Sequence, residues 1–234
     1  MRLALFDLDH TLIPLDSDHA WGQYTVRIGW RDAEVFAARN NDFYQQYKDG
    51  TLDIHAYVRF ATEAVRERGR QAAEAAREGF MRDVIEPALL PQARELLRHH
   101  QDAGDRVVIV TATNEFVTRP IATALGVDEL IGIRLAQGPG ADDWISGEIE
   151  GVPSFREGKI ARVQEWLAQQ NLSWESVEHS VFYSDSLNDL ALLERVHEPV
   201  ATNPDDRLRA LALARGWTCL LYTSPSPRDA TLIS

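Results

Sequence analysis

The sequence predicts an α/β protein: a doubly wound parallel sheet with an all-helical segment inserted after the first strand. Three observations predict it. The apolar run Leu3-Ala4-Leu5-Phe6 starts almost at the first residue and ends in Asp7-Leu8-Asp9-His10-Thr11, as a buried parallel strand ends in a polar loop. From Pro91 onward, β-branched runs alternate with helical patterns of about ten residues, the pattern of crossover units in one parallel sheet. Between positions 16 and 85 no strand-like alternation occurs.

Within that inserted stretch, helices follow from apolar spacing and from breakers. Asp18 can cap a helix carrying Trp21, Tyr24 and Ile28, which Gly29 ends. A second helix starts after Asp32, carries Phe36, Phe43 and Tyr47, and has Gly50 beyond its end. A third carries Ile54, Tyr57, Val58, Ala61 and Val65 and closes at Gly69; a fourth covers about Gln71 to Val84. Their aromatics read as the core of the insert itself rather than as a cofactor box.

Pro91 suits the first turn of the next helix, which carries Ala93, Leu96 and Leu97 and ends at Gly104. The run Arg106 to Thr111 is a strand ending in a hydroxyl residue, and Asn114 can cap a helix reaching Gly126. Leu130 to Ile133 is a third core strand, and Trp144 to Ile149 a short hairpin or edge ribbon. A helix from about Glu157 to Gln170, the strand Ser180 to Ser184, a helix from about Asn188 to Arg195, the strand Pro199 to Ala201 and a helix from Pro204 to Arg215 complete the alternation. Trp217 to Leu220 can be the last strand. The expected division is residues 1–15 and 86–220 for the catalytic core, 16–85 for the helical segment, and 221–234 for a disordered or non-native tail.

Bulk numbers narrow the function. A formal net charge of -12 argues against nucleic acid or an anionic membrane surface as the main partner. The single cysteine, Cys219, excludes an internal disulfide framework and a cysteine-built zinc site. No apolar stretch approaches a membrane span and no signal peptide is visible, so a cytoplasmic location is expected. Oligomeric state is not legible.

The chemistry-bearing residues fall at strand ends. Asp7 and Asp9 end the first strand, Thr111 ends the second, Asp185 and Asp189 follow a later one, and Lys159 opens the helix between. In a parallel sheet these ends share one edge. An aspartate there can also cap a helix or a turn, but clustered carboxylates repel one another unless a cation intervenes. Oxygen donors without His or Cys suit Mg²⁺. A lysine and a hydroxyl supply what an anionic phosphoryl group needs, and a carboxylate can serve as its nucleophile. Phosphoryl transfer uses every part. By contrast, Asp16-Ser17-Asp18-His19 reads as a turn or cap rather than a zinc site, His99 and His100 as helix residues, and Gly138-Pro139-Gly140 as a surface turn.

These motifs resemble those of haloacid dehalogenase superfamily phosphatases, specifically the phosphoserine-phosphatase-like subgroup with a helical cap inserted into a Rossmann-like core. The resemblance covers roughly positions 1 to 220 and rests on Asp7-Leu8-Asp9-His10-Thr11, Thr111, Lys159 in Phe155-Arg156-Glu157-Gly158-Lys159, and Asp185-Ser186-Leu187-Asn188-Asp189, in that order. It implies a Mg²⁺-dependent phosphomonoesterase acting on a small phosphorylated metabolite. Asp7 would become an aspartyl-phosphate, and Asp9 would act as acid and then base. Thr111 and Lys159 would bind the phosphoryl group. Asp7, Asp9 (through its carbonyl), Asp185 and Asp189 would hold the metal, with Asp189 alternatively holding Lys159.

In phosphoserine phosphatases an acidic cap residue reads the substrate ammonium, and Asp16 stands about there. The arginine that reads the carboxylate is replaced by Ala61, with Arg59 two residues away, which favours histidinol phosphate over phosphoserine. Two further readings stay open. One is a phosphotransferase using the same intermediate, the other a non-catalytic scaffold, against which the intact set of charged residues argues.

Overall fold

A computed structural model describes residues 1–138, 144–222 and 231–233 of the chain. Its strands are β1 (Arg2–Phe6), β2 (Arg106–Asn114), β3 (Glu129–Ile133), β4 (Leu135–Gln137), β5 (Ile145–Ile149), β6 (His179–Ser184), β7 (Glu198–Thr202), β8 (Thr218–Leu221) and β9 (Thr231–Ile233). The main sheet runs β3-β2-β1-β6-β7-β8-β9, and every neighbouring pair is parallel except β8 with β9. β1 therefore lies at the centre, where the direction of winding reverses and open α/β sheets place their ligands.

The pleat divides β1 cleanly, as period two demands. Leu3 and Leu5 face one layer with Val108, Val110, Phe182 and Ala201; Ala4 and Phe6 face the other with Val107, Ile109, Val181 and Val200. Leu3 to Phe6 are each at most 1% exposed, so the strand beyond Arg2 is apolar on both faces for a reason. The first layer is closed by α8 (Gly158–Ala168), α9 (Leu190–Leu193) and α10 (Asp206–Arg215), the second by α6 (Pro91–Asp102) and α7 (Glu115–Ala124).

Between β1 and β2 lie five further helices: α1 (Ser17–Arg27), α2 (Ala33–Asp49), α3 (Ile54–Ala61), α4 (Glu63–Phe80) and α5 (Glu86–Ala88), with a π turn over Met81–Ile85. The boundaries depart from the sequence reading in two places. Asp16, not the expected Asp18, caps α1, and Asp18 lies inside its first turn. The expected third helix breaks at Thr62 rather than running to Gly69, because Arg31 takes the Phe60 and Ala61 carbonyls at 2.7 and 3.2 Å. Gly69, at φ 76° and ψ 170°, is non-helical and splits α4 in two, so the expected break there, with a new helix beyond it, is present.

The insert's aromatics also divide. Phe36, Phe43, Tyr57 and Phe60 pack on one another, as expected. Trp21, Tyr24 and Phe80 instead join the same apolar cluster as Phe6 and Ile109 of the sheet. The ribbon β4–β5 leans on the insert, with Trp144 Nε1 donating to the Val65 carbonyl at 3.3 Å and Arg59 paired with Glu148 at 3.1 Å.

The expected tail covers two situations. Residues 223–230 and 234, like Pro139 and Gly140 of the expected turn, lie outside the described residues. Thr231–Ile233 differs from the sequence reading by pairing antiparallel with β8, whose open edge offers unpaired backbone groups. Among the described residues, no helix is long and apolar enough to cross a membrane.

Candidate active site

Register explains why distant residues meet. Phe6 pairs with Ile109 on one side and with Tyr183 on the other, so Asp7 and Thr111 emerge just past the paired ends, beside Ser184 and Asp185. Asp7 still donates its N–H to the Tyr183 carbonyl at 2.9 Å, which fixes its backbone to the sheet. The chain then tightens: the Leu8 carbonyl accepts from Thr11, Leu12 and Ile13, and His10 takes a φ of 55°.

Lys159 reaches this edge from the first turn of α8. The turn before it is possible only with glycine at 158, where an added Cβ would sit 2.0 Å from the Pro153 carbonyl oxygen. Lys159 is 2% exposed and donates to Asp7 Oδ1 at 2.8 Å and to Asp189 Oδ2 at 2.7 Å. Asp189 also accepts from the Ser184 hydroxyl at 2.7 Å. Of the two roles the sequence leaves open for Asp189, the geometry shows it holding Lys159.

The remaining residues fall around this pair. Asp185 takes a hydrogen bond from Thr11 Oγ1 at 3.4 Å and returns one from its own N–H to the same hydroxyl at 3.1 Å. Asp9 accepts from the Ser17 N–H and from the Thr113 hydroxyl, both at 2.9 Å. Thr111 is buried, its hydroxyl accepting from the Thr113 N–H at 3.1 Å and its carbonyl from Ser154. β2 runs on to Asn114, three residues past the strand end expected at Thr111, so it delivers a second hydroxyl, Thr113. Asp16 is exposed and caps α1, accepting from the His19 N–H at 2.8 Å.

Sequence reasoning missed Thr11, Ser17, Thr113 and Ser184. Thr113 was detectable, because it shares a strand face with Thr111. Sequence reasoning read Asp18 as a helix cap, whereas the structure buries that side chain at 8% exposure, where it accepts from Asn114 Nδ2 at 3.4 Å.

The electrostatics are unbalanced. Asp7, Asp185 and Asp189 surround one lysine. Burial and the nearby Asp7 and Asp189 push the Asp185 carboxyl well up, and burial raises Asp7 despite Lys159. Burial lowers the Lys159 ammonium, but Asp189 and Asp7 outweigh it and hold it above its ordinary value. Burial, then Asp16 and Asp7, push Asp9 well up.

Surplus negative charge with oxygen donors is what a hard divalent cation relieves, so the residues fit Mg²⁺. Among the described residues no three His, Cys, Asp or Glu side chains form a metal cage by themselves. The Asp9 carboxylate uses both oxygens on Ser17 and Thr113, and Asp189 takes both Lys159 and the Ser184 hydroxyl, which leaves Asp7 and Asp185, with one such bond each, as the freest side-chain donors. One or two carboxylates are what Mg²⁺ usually takes from a protein, the rest being water and phosphate.

The chain is similar to known proteins. Residues 4–194 match the haloacid dehalogenase-like hydrolase family. A histidinol-phosphatase of Neisseria meningitidis is 43% identical over 222 residues, covering 94% of this chain and 99% of that protein. A phosphoserine phosphatase of Mycobacterium tuberculosis is 31% identical over 92% of this chain and 68% of its own length. A protein of unknown function from Bordetella pertussis superposes with a TM-score of 0.87 at 46% identity, covering 93% of this chain and 97% of that one. A phosphoserine phosphatase solved as a phospho-aspartyl intermediate analogue shares the fold, with a TM-score of 0.63 at 17% identity over 89% of this chain and 90% of that one.

Proposed function

The chain belongs to the haloacid dehalogenase-like hydrolase family and is a phosphoric monoester hydrolase, and from that premise we propose that Asp7 is the nucleophile toward a small phosphorylated metabolite bearing an amine. The observation that carries this reading is the buried Asp7 carboxylate at the end of β1, held by a lysine that it shares with Asp189.

One Asp7 oxygen attacks phosphorus as the bond to the leaving oxygen breaks, giving an aspartyl-phosphate. Asp9 donates the proton that the leaving oxygen needs; its burial near Asp16 and Asp7 favours the protonated carboxyl, the form a general acid requires. Asp9, now a carboxylate, takes a proton from water as that water attacks phosphorus and releases Asp7. The hydrogen bonds from Ser17 and Thr113 keep it oriented through both steps. Lys159 and Thr111 bind phosphoryl oxygens as charge spreads over them. When bound, Mg²⁺ held by Asp7, Asp185 and the Asp9 carbonyl would neutralise phosphoryl charge as a Lewis acid. The helical insert, α1 to α4, acts as a cap that excludes water.

Substrate class follows from the charges facing the site. Asp16 and Asp18 form no ion pair among the described residues, and Arg59, the nearest match to a carboxylate-reading arginine, is tied to Glu148 at 3.1 Å. A cationic amine suits this wall and a carboxylate does not, so a histidinol-phosphate-like ester is favoured over phosphoserine. The name of the Neisseria relative supports the same choice.

The test is phosphate release from histidinol phosphate, phosphoserine, sugar phosphates and a chromogenic ester with Mg²⁺. Turnover should be best with histidinol phosphate, vanish with chelator, and fall by roughly 10³-fold or more in Asp7→Asn. A mutant that matches the wild type would remove Asp7 as nucleophile.

A further inference from the structure

Two side chains tie the helical insert to the catalytic loop, and the chemistry proposed above uses neither. Arg156 lies in the turn before Lys159 with a φ of 51°, left-handed backbone that glycine or asparagine adopts far more readily than arginine. Its guanidinium forks. Nη1 donates to the Gly50 carbonyl at 2.9 Å, the residue that ends α2, and Nε donates to Asn188 Oδ1 at 3.3 Å. The group also lies over the ring of its neighbour Phe155, 4.9 Å from the centroid.

Tyr47, on the last turn of α2, makes the second tie. Its hydroxyl is 3.2 Å from Ser186 Oγ, and its ring centre is 6.5 Å from that of Phe155. Burial raises the phenol above its ordinary value, against relief from Ser186 and Asn188, and the charges of Asp189 and Asp185 add to the rise. Ser186 in turn accepts from the Asn188 N–H at 3.2 Å and caps the short 3₁₀ turn Leu187–Asp189. Both ties therefore end on the loop that presents Asp185 and Asp189, and one starts three residues before Lys159.

Resting on the phosphatase reading above, we infer that Arg156 and Tyr47 are positioning residues: they clasp the end of α2 to the Asp185–Asp189 loop, so that docking the insert sets those carboxylates for the reaction. The fork explains why an arginine occupies left-handed backbone. Two donors must reach two acceptors on different segments, which glycine and asparagine cannot do and lysine does only in part. Misplacing a catalytic group by an ångström can cost about 10²-fold in rate, so a loose clasp shows in turnover before it shows in binding.

The deciding variant is Arg156→Gly, which keeps the turn, relieves the backbone and removes the fork. The melting temperature should hold or rise, while kcat falls about tenfold with KM changed less than about threefold. Arg156→Lys should recover only part of kcat. Tyr47→Phe, which keeps the ring and drops the hydroxyl, should cost less, and the double variant should be no worse than Arg156→Gly, because both hold the same junction between the end of α2 and the Asp185–Asp189 loop. Hydrogen–deuterium exchange without substrate gives a readout independent of catalysis: amides of residues 47–51 and 184–189 should exchange faster in Arg156→Gly. Wild-type kcat in that variant, or unchanged exchange in both segments, overturns the clasp. If the wild type hydrolyses no ester, the phosphatase reading fails and the exchange comparison alone decides this inference.

Discussion

Two buried polar networks meet on β6, one residue apart, and they are built on opposite terms. Around His100 every group is matched. Nδ1 lies 2.7 Å from Asp105 Oδ2, Nε2 lies 2.8 Å from the Tyr183 hydroxyl, and Asp105 Oδ1 accepts from Arg2 at 2.7 Å. Burial pushes the Asp105 carboxyl up, but hydrogen bonds from His100 and Arg2 outweigh it and hold it below the usual range. Around Lys159, three carboxylates share one ammonium, and Asp7 and Asp185 are held above the usual range. A fold that only needed stability would have matched these charges too. Surplus charge, kept in a buried place at the strand ends, marks where a substrate or a cation completes the set.

The comparison breaks most visibly if the lysine can be spared. Lys159→Ala leaves Asp7 and Asp189 buried without their cation. Hydrolysis should fall by about 10³-fold, and stability by roughly 3–5 kcal/mol at neutral pH. Added Mg²⁺ should return part of the lost melting temperature by supplying charge to the same carboxylates. Thermal melts with and without Mg²⁺, beside an ester assay, measure both effects. A variant that keeps turnover within tenfold of wild type would mean that the surplus charge is not catalytic.

The matched network gives the opposite expectation. His100→Leu strands the Tyr183 hydroxyl and one Asp105 oxygen, for a loss of about 1–3 kcal/mol, while kcat/KM stays within about twofold. Because the folded Asp105 pKa is depressed, the stability it adds is present above its unfolded value near 4 and is lost as pH falls through the folded value. Acid melts should therefore show a steeper fall below about pH 4 in the wild type than in the variant. An activity loss matching that of Lys159→Ala would merge the two networks into one catalytic unit.

How much of this could be read from the chain follows the range of the interactions involved. The strand ends carrying Asp7 and Asp185 were legible because an apolar run stopping at a polar residue is a local signal and a parallel sheet aligns such stops. The His100 network was not. His100 reads as one more polar helix residue until β6 brings Tyr183 to it from 83 positions away. Tyr47 fits the apolar stripe of α2 by spacing, yet its hydroxyl reaches Ser186, 139 positions on. Thr113 was missed for another reason, since the expected strand stopped at Thr111 where the structure carries it to Asn114. The insert's shared core with the sheet was illegible because helical periodicity gives a buried face without saying what covers it.

Asp18 gives the smallest expected effect and the sharpest test of the comparison, because it is buried and its charge is unmatched although it lies outside the Lys159 cluster. Burial, then Asp16, push its carboxyl up to about 7, against weaker relief from Tyr57 and Arg31. A carboxyl raised in the folded state contributes stability that is full below its unfolded value near 4 and is lost as pH rises through about 7. Asp18→Asn removes that dependence. The variant should match the wild type near pH 4 and exceed it above pH 7, by the order of 1 kcal/mol. If the surplus charge exists to meet a substrate amine, the same variant should raise KM for histidinol phosphate about tenfold while leaving a chromogenic ester without an amine unaffected. Melting curves that stay parallel across pH would show that Asp18 carries its charge without penalty. The distinction between matched and surplus charge would then hold only at the strand ends.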